Sequence, residues 1–123
     1  MSMIKADEAP RFELPGIQFT GLAAPSRGSG ELCTWRIRVA PGLDSPDPHT
    51  LDRDEVFMVL AGSVRITPHG PVAGPGDVVV VPAGDPIQLS NPGDSTAEVY
   101  VAITAGFTGT LADGTSVRPP WAE

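Results

Sequence analysis

Residues 42–62 read GLDSPDPHTLDRDEVFMVLAG and residues 76–91 read GDVVVVPAGDPIQLSN. In the first stretch a polar run rich in Asp and Pro gives way at Glu55 to an apolar run, EVFMVL (55–60), closed by Ala61-Gly62. A short apolar run bounded by turn residues predicts a buried strand. In the second stretch four valines (78–81) stop at Pro82-Ala83-Gly84. An unbroken β-branched run predicts a strand buried on both faces. IQLSN (87–91) alternates apolar and polar before the turn NPGD, which again reads as a strand.

The same reading extends outward. ELCTWRIRVA (31–40) alternates, with Cys33, Trp35, Ile37 and Val39 on one face and Thr34, Arg36 and Arg38 on the other. The arginine face is expected to meet solvent. IQFTGLAA (17–24) predicts a first strand, SVRIT (63–67) a hairpin partner for 55–60, and AEVYVAI (97–103) a further strand. From Gly106 onward the chain reads as loop. Helical periodicity is almost absent. About eight or nine short strands at roughly 8–12-residue spacing predict an antiparallel sandwich or barrel.

Composition agrees. The 123 residues suit one domain with one core, and 41% are hydrophobic, which excludes a disordered chain. Fourteen Gly and fourteen Pro are scattered without a period, as frequent turns require. A net charge of −7 excludes nucleic acid and anionic membrane as expected partners. The single cysteine, Cys33, lies in an apolar strand and predicts a small buried hydrophobe. MSMIKADEAPRFELPG at the start has no continuous apolar stretch, so neither a signal peptide nor a spanning segment is expected. With a lone thiol, the expected setting is the cytoplasm.

Taken together, the two opening stretches resemble the paired motifs of the cupin superfamily. The first family motif, G-x5-H-x-H-x3–4-E-x6-G, is matched by Gly42, His49, Leu51, Glu55 and Gly62, with a lead-in one residue longer. The second, G-x5-P-x-G-x2-H-x3-N, is matched by Gly76, Pro82, Gly84, Ile87 and Asn91. The resemblance implies an all-β, antiparallel double-stranded β-helix, the jelly-roll barrel. The whole chain, 1–123, would be one such domain: a barrel core over about 31–105, an N-terminal strand region over 11–30 and a C-terminal tail over 106–123. It also implies a homodimer, to which an exposed β-edge and the apolar second faces of 55–60 and 78–81 are suited.

The chemistry departs from the pattern. The family binds a divalent metal through two His and the Glu of the first motif and the His of the second. Here Leu51 and Ile87 stand at two of those four positions and coordinate nothing. The metal site is therefore degenerate, and no bound iron, manganese, zinc or nickel is expected. Were a metal held by His49 and Glu55, water or Asp47, two residues before His49, would complete the coordination.

His49 and Glu55 remain as the implied interior polar pair. They are open to two readings: an inert, mutually hydrogen-bonded relic, or an acid and base acting on a ligand. Leu51, Phe57, Val59, Ile87 and Leu89 share the parity of the former metal-facing positions and would line an apolar wall, with Trp35 and Asn91 adding to it. The expected function is a metal-independent isomerase, cyclase or dehydratase acting on a hydrophobic small molecule. Small stand-alone cupins of secondary metabolism are the analogy. A non-catalytic ligand-binding barrel and a metal-dependent oxygenase or isomerase are the alternatives. No organic cofactor is indicated.

Overall fold

The computed structural model describes residues 1–123. Nine strands follow one another: β1 (Arg11–Leu14), β2 (Ile17–Gly21), β3 (Leu32–Val39), β4 (Thr50–Leu51), β5 (Glu55–Ala61), β6 (Val78–Val81), β7 (Ala97–Thr104), β8 (Gly109–Thr110) and β9 (Ser116–Val117). Short 3-10 turns at Pro25–Arg27 and Pro120–Ala122 are the only helical elements. No helix is long and apolar enough to cross a membrane. The strands form one six-stranded sheet, in the order β1-β2-β3-β7-β5-β6, and one three-stranded sheet, β4-β8-β9. Every pairing is antiparallel.

Alternation dictates which face closes the barrel. On β3, Cys33, Trp35, Ile37 and Val39 are buried, while Thr34, Arg36 and Arg38 face outward. Register extends this into rows, because residues directly opposite in an antiparallel pair share a face. Cys33, Ile103, Glu55 and Val81 form one interior row; Trp35, Val101, Phe57 and Val79 form the next. Arg36 and Arg38 meet Glu98 outside, each at 3.5 Å. Each fully buried Val, Ile or Phe contributes roughly 1.5–3 kcal/mol. These rows therefore fix the register: a one-residue slip would turn all of them to solvent.

The facing layer is looser. Besides β4-β8-β9 it is held by single bridges, Asp44 to Ser90, His49 to Ile87, Arg65 to Ser90 and Val64 to Ala73. Three expected features differ here. Residues 63–67 do not return along β5, whose neighbours are β6 and β7. Gly62, at φ 73, lets the chain pass Ala97 so closely that a Cβ would lie 2.7 Å from its Cα, and the chain then crosses to the opposite layer. Residues 87–91 form bridges rather than a continuous ladder. The valines of β6 are not buried on both faces: β6 is an edge strand, and Val78 and Val80 are 57% and 59% exposed.

Both ends of the chain also add structure. β1 pairs with β2 around Pro15-Gly16, extending the main sheet. The tail is not all loop: β8 and β9 pair, and Trp121 stacks on Phe19 with ring centroids 3.7 Å apart. Arg27 holds that tail by donating from Nη2 to the Trp121 carbonyl (3.1 Å). Cys33 is buried, its thiol donates to the Ala122 carbonyl, and burial pushes its pKa up. That is the behaviour of a small core residue.

Candidate functional site

Glu55 is placed by the turn before it. Asp52 Oδ1 accepts from the Thr108 amide (2.8 Å) and Asp54 Oδ1 from the Ala83 amide (2.9 Å). The Gly84 amide donates to the Leu51 carbonyl (2.8 Å). These exposed aspartates tie the turn to both neighbouring loops. The chain leaves the turn with Glu55 as the first residue of β5, turned inward between Val81 and Ile103.

Glu55 is 4% exposed. Burial alone pushes its carboxyl pKa up to about 8, with no ion pair or hydrogen bond to offset the desolvation. His49 sits on the facing layer, bonded through its backbone to Ile87 in both directions (3.0 and 2.8 Å). It is half-buried, and burial lowers its pKa below the usual imidazole value. The two side chains form neither a hydrogen bond nor an ion pair, so the mutually bonded relic is not what the chain builds. Burial thus disfavours the charged form of both groups, the carboxyl of Glu55 on one layer and the imidazole of His49 on the other.

The apolar residues that share this parity are interior. Leu51, Phe57, Val59, Ile87 and Leu89 are all buried in one core cluster. Trp35 belongs to it too, with its ring 5.9 Å from Phe107. Phe107 was not legible as a wall residue, because it follows β7 in a segment without alternation. Asn91 has a different task. It is 1% exposed, and its amide donates to the carbonyls of Val39 (3.0 Å) and Ser95 (2.9 Å) while Oδ1 accepts from Gly93. Both amide hydrogens are spent on backbone. Val39 is six residues along β3 from Cys33 in the Glu55 row, roughly 20 Å away. Asn91 therefore fastens the opposite end of the barrel and does not line the Glu55 wall.

The residues do not fit a metal. Asp47 lies exposed in a bend between Pro46 and Pro48, not in an extended strand, so spacing by two does not bring it beside His49. No three His, Cys, Asp or Glu side chains converge anywhere in the fold. With Leu51 and Ile87 at the remaining positions, the donor set is one imidazole and one carboxyl. Two hollows, of about 620 and 590 Å³, lie on the outer surface, and neither is lined by His49 or Glu55.

Comparison with known proteins follows this geometry. The Cupin domain family model matches residues 35–103, more than half of the chain. Among solved structures, a sugar phosphate isomerase from a cupin superfamily of Silicibacter pomeroyi is similar at 21% identity, covering 98% of this chain and 94% of that one, with TM-score 0.74. The polyketide cyclase RemF from Streptomyces resistomycificus is similar at 18% identity, covering 85% and 79%, with TM-score 0.73. KdgF from Halomonas sp. follows at 21% identity, covering 84% and 94%, with TM-score 0.69. No protein of curated function matches the chain at a significant level. At these identities the solved structures speak for the fold, while the family model, the ordered motifs and the two-layered antiparallel barrel settle membership: this protein belongs to the cupin family.

Proposed function

We propose that the barrel interior is a metal-independent acid–base site for a hydrophobic small molecule, catalysing an isomerisation, cyclisation or dehydration. The observation that supports it is Glu55: a buried, unpartnered carboxyl whose pKa is raised to about 8. At pH 7 it holds a proton to give, while His49, its pKa lowered, holds a lone pair to receive one. In an isomerisation, His49 takes the proton from a carbon beside a carbonyl as Glu55 donates to the developing oxyanion. The imidazolium then delivers its proton to the new carbon, and the enol hydroxyl returns the other to Glu55. No electrons are exchanged with an external partner. Placed acids and bases of this kind are worth roughly 10²–10⁴-fold in rate. Two fold neighbours have names of these reaction types, a cyclase and an isomerase. In this reading the half-buried imidazole stands at the mouth of the site, and the buried Leu51, Phe57, Ile87 and Leu89 serve as the wall that excludes water.

The chain works as a homodimer in this reading. The outward rows of β5, β6 and β7 present Val56, Met58, Leu60, Val78, Val80 and Tyr100 as an apolar face. Two copies at −7 repel, yet the strands β5, β6 and β7 carry on this face only one acid, Glu98, which is already paired with Arg36 and Arg38, so two acidic chains can meet here at low cost. A cytoplasmic setting suits its buried free thiol. Turnover of a panel of enolisable and dehydratable small molecules tests the proposal. His49→Ala and Glu55→Gln should each remove activity with the fold intact. Unchanged turnover in both would end the acid–base assignment, and saturable binding without turnover would leave a ligand-binding barrel.

A further inference from the structure

The outer face of the looser layer is polar in a way the barrel interior does not use. Ser90 bridges to Asp44 on one side and Arg65 on the other, so their three side chains stand in one row. Their chain neighbours Val64, Ile66, Leu89 and Asn91 are buried, which turns this row outward. Gln88 and Thr67 lie one step further along the same face. The turn Thr67–Gly70 folds over them, closed by the Gly70 amide donating to the Thr67 carbonyl (3.1 Å). Together they bound a hollow of about 590 Å³, none of whose lining residues is hydrophobic.

Two details make this a built concavity. Arg65 donates from Nε to the Gly70 carbonyl at 2.8 Å, which fixes the plane of its guanidinium. Its two terminal nitrogens have no protein partner: the ion pairs of the chain are Arg36 and Arg38 with Glu98. Asp44 stands in the same row, one strand beyond Ser90, yet leaves the guanidinium unpaired. The second detail is His69. At φ 58 it is the one non-glycine residue in the left-handed region, which side chains other than Gly seldom occupy. Glycine would serve this turn at less cost; a histidine places an imidazole on the rim of the hollow.

We propose that this hollow binds a small hydroxy-carboxylate, with the carboxylate on the free edge of Arg65 and the hydroxyls among Thr67, Ser90 and Asp44. A guanidinium held at Nε offers a planar fork that matches a carboxylate. One Arg beside one Asp leaves the site near neutral, which suits a monoanion with hydroxyl donors and not a phosphate dianion. The surrounding charge of −7 repels anions, so retention depends on the fork. The site lies outside the barrel and is independent of His49 and Glu55.

Titration of the 15N-labelled protein with D-gluconate tests this, with acetate, D-glucose and inorganic phosphate as separate arms. Gluconate should shift the amides of residues 65–70 and 88–90 saturably. Glucose should not, and acetate and phosphate should bind at least about tenfold more weakly. Arg65→Lys keeps the charge but loses the fork, and should weaken gluconate about tenfold or more. Ser90→Ala, whose backbone bridges are unaffected, should weaken it severalfold in a fold shown intact by its spectrum. Absence of saturable shifts, equal binding of acetate or phosphate, or unchanged binding in both variants would overturn the proposal.

Discussion

Replacing Glu55 by Gln should flatten the dependence of stability on pH. A carboxyl at about 8 in the folded chain and 4.5 in the ordinary state binds more protons folded than unfolded throughout that interval. Its contribution is therefore fully present below 4.5 and is lost as pH rises towards about 8. The full difference is worth roughly 5 kcal/mol at about 1.4 kcal/mol per pH unit. Allowing for rounding at both ends, wild type should lose about 3–4 kcal/mol from this group between pH 5 and pH 8. Gln mimics the protonated acid in shape and charge, so Glu55→Gln should match wild type within about 1 kcal/mol at pH 5 and exceed it by about 4 kcal/mol at pH 8. Urea unfolding of both proteins at half-unit steps gives the two curves. Taking their difference cancels His49 and every other titrating group. Parallel curves would refute the reasoning, because the carboxyl would then be ionised in the fold like any surface acid.

Three further outcomes follow from other residues. His49 works in the opposite sense: its lowered pKa means stability is present above the ordinary value of 6.5 and falls as pH drops through the folded value, and His49→Gln should remove that acid-side loss in the same assay. Val80→Glu places a charge on the outward face of β6 and should convert a dimer to monomer by light scattering at matched concentration; an unchanged mass would move the interface elsewhere. Asn91→Ala strips three backbone hydrogen bonds at the far end of the barrel and should cost about 2–4 kcal/mol, with ligand binding in the barrel unaffected once folded.

Where one face is buried, the chain states its structure plainly. Cys33 to Val39 and Ala97 to Ile103 alternate because one side meets the core, and both are strands with that side inward. The motif spacing likewise put Leu51, Glu55 and Ile87 inside. Reading failed where tertiary placement overrode local pattern. Four valines look alike whether a strand is central or at an edge, and only sheet order exposes Val78 and Val80. SVRIT alternates as a hairpin partner would, but its layer is decided by the left-handed Gly62. Asp47 was placed by strand parity, and prolines on either side deny it a strand. The roles of Asp52 and Asp54 depend on amides distant in sequence, and that of Asn91 on the distant Val39 carbonyl, which no local signal reveals. The hollow around Arg65 joins three separate segments, so only the fold assembles it.

The account rests on Glu55 being a neutral acid at neutral pH in a site without a metal. Carbon-detected NMR of the 13C-labelled Glu55 carboxyl, assigned by its absence in Glu55→Gln, measures this directly across pH 4–10. The predicted midpoint is about 8, unmoved by an equivalent of Zn²⁺ or Mn²⁺. A midpoint in the ordinary carboxylate range, or one that a stoichiometric metal pulls down, would contradict it.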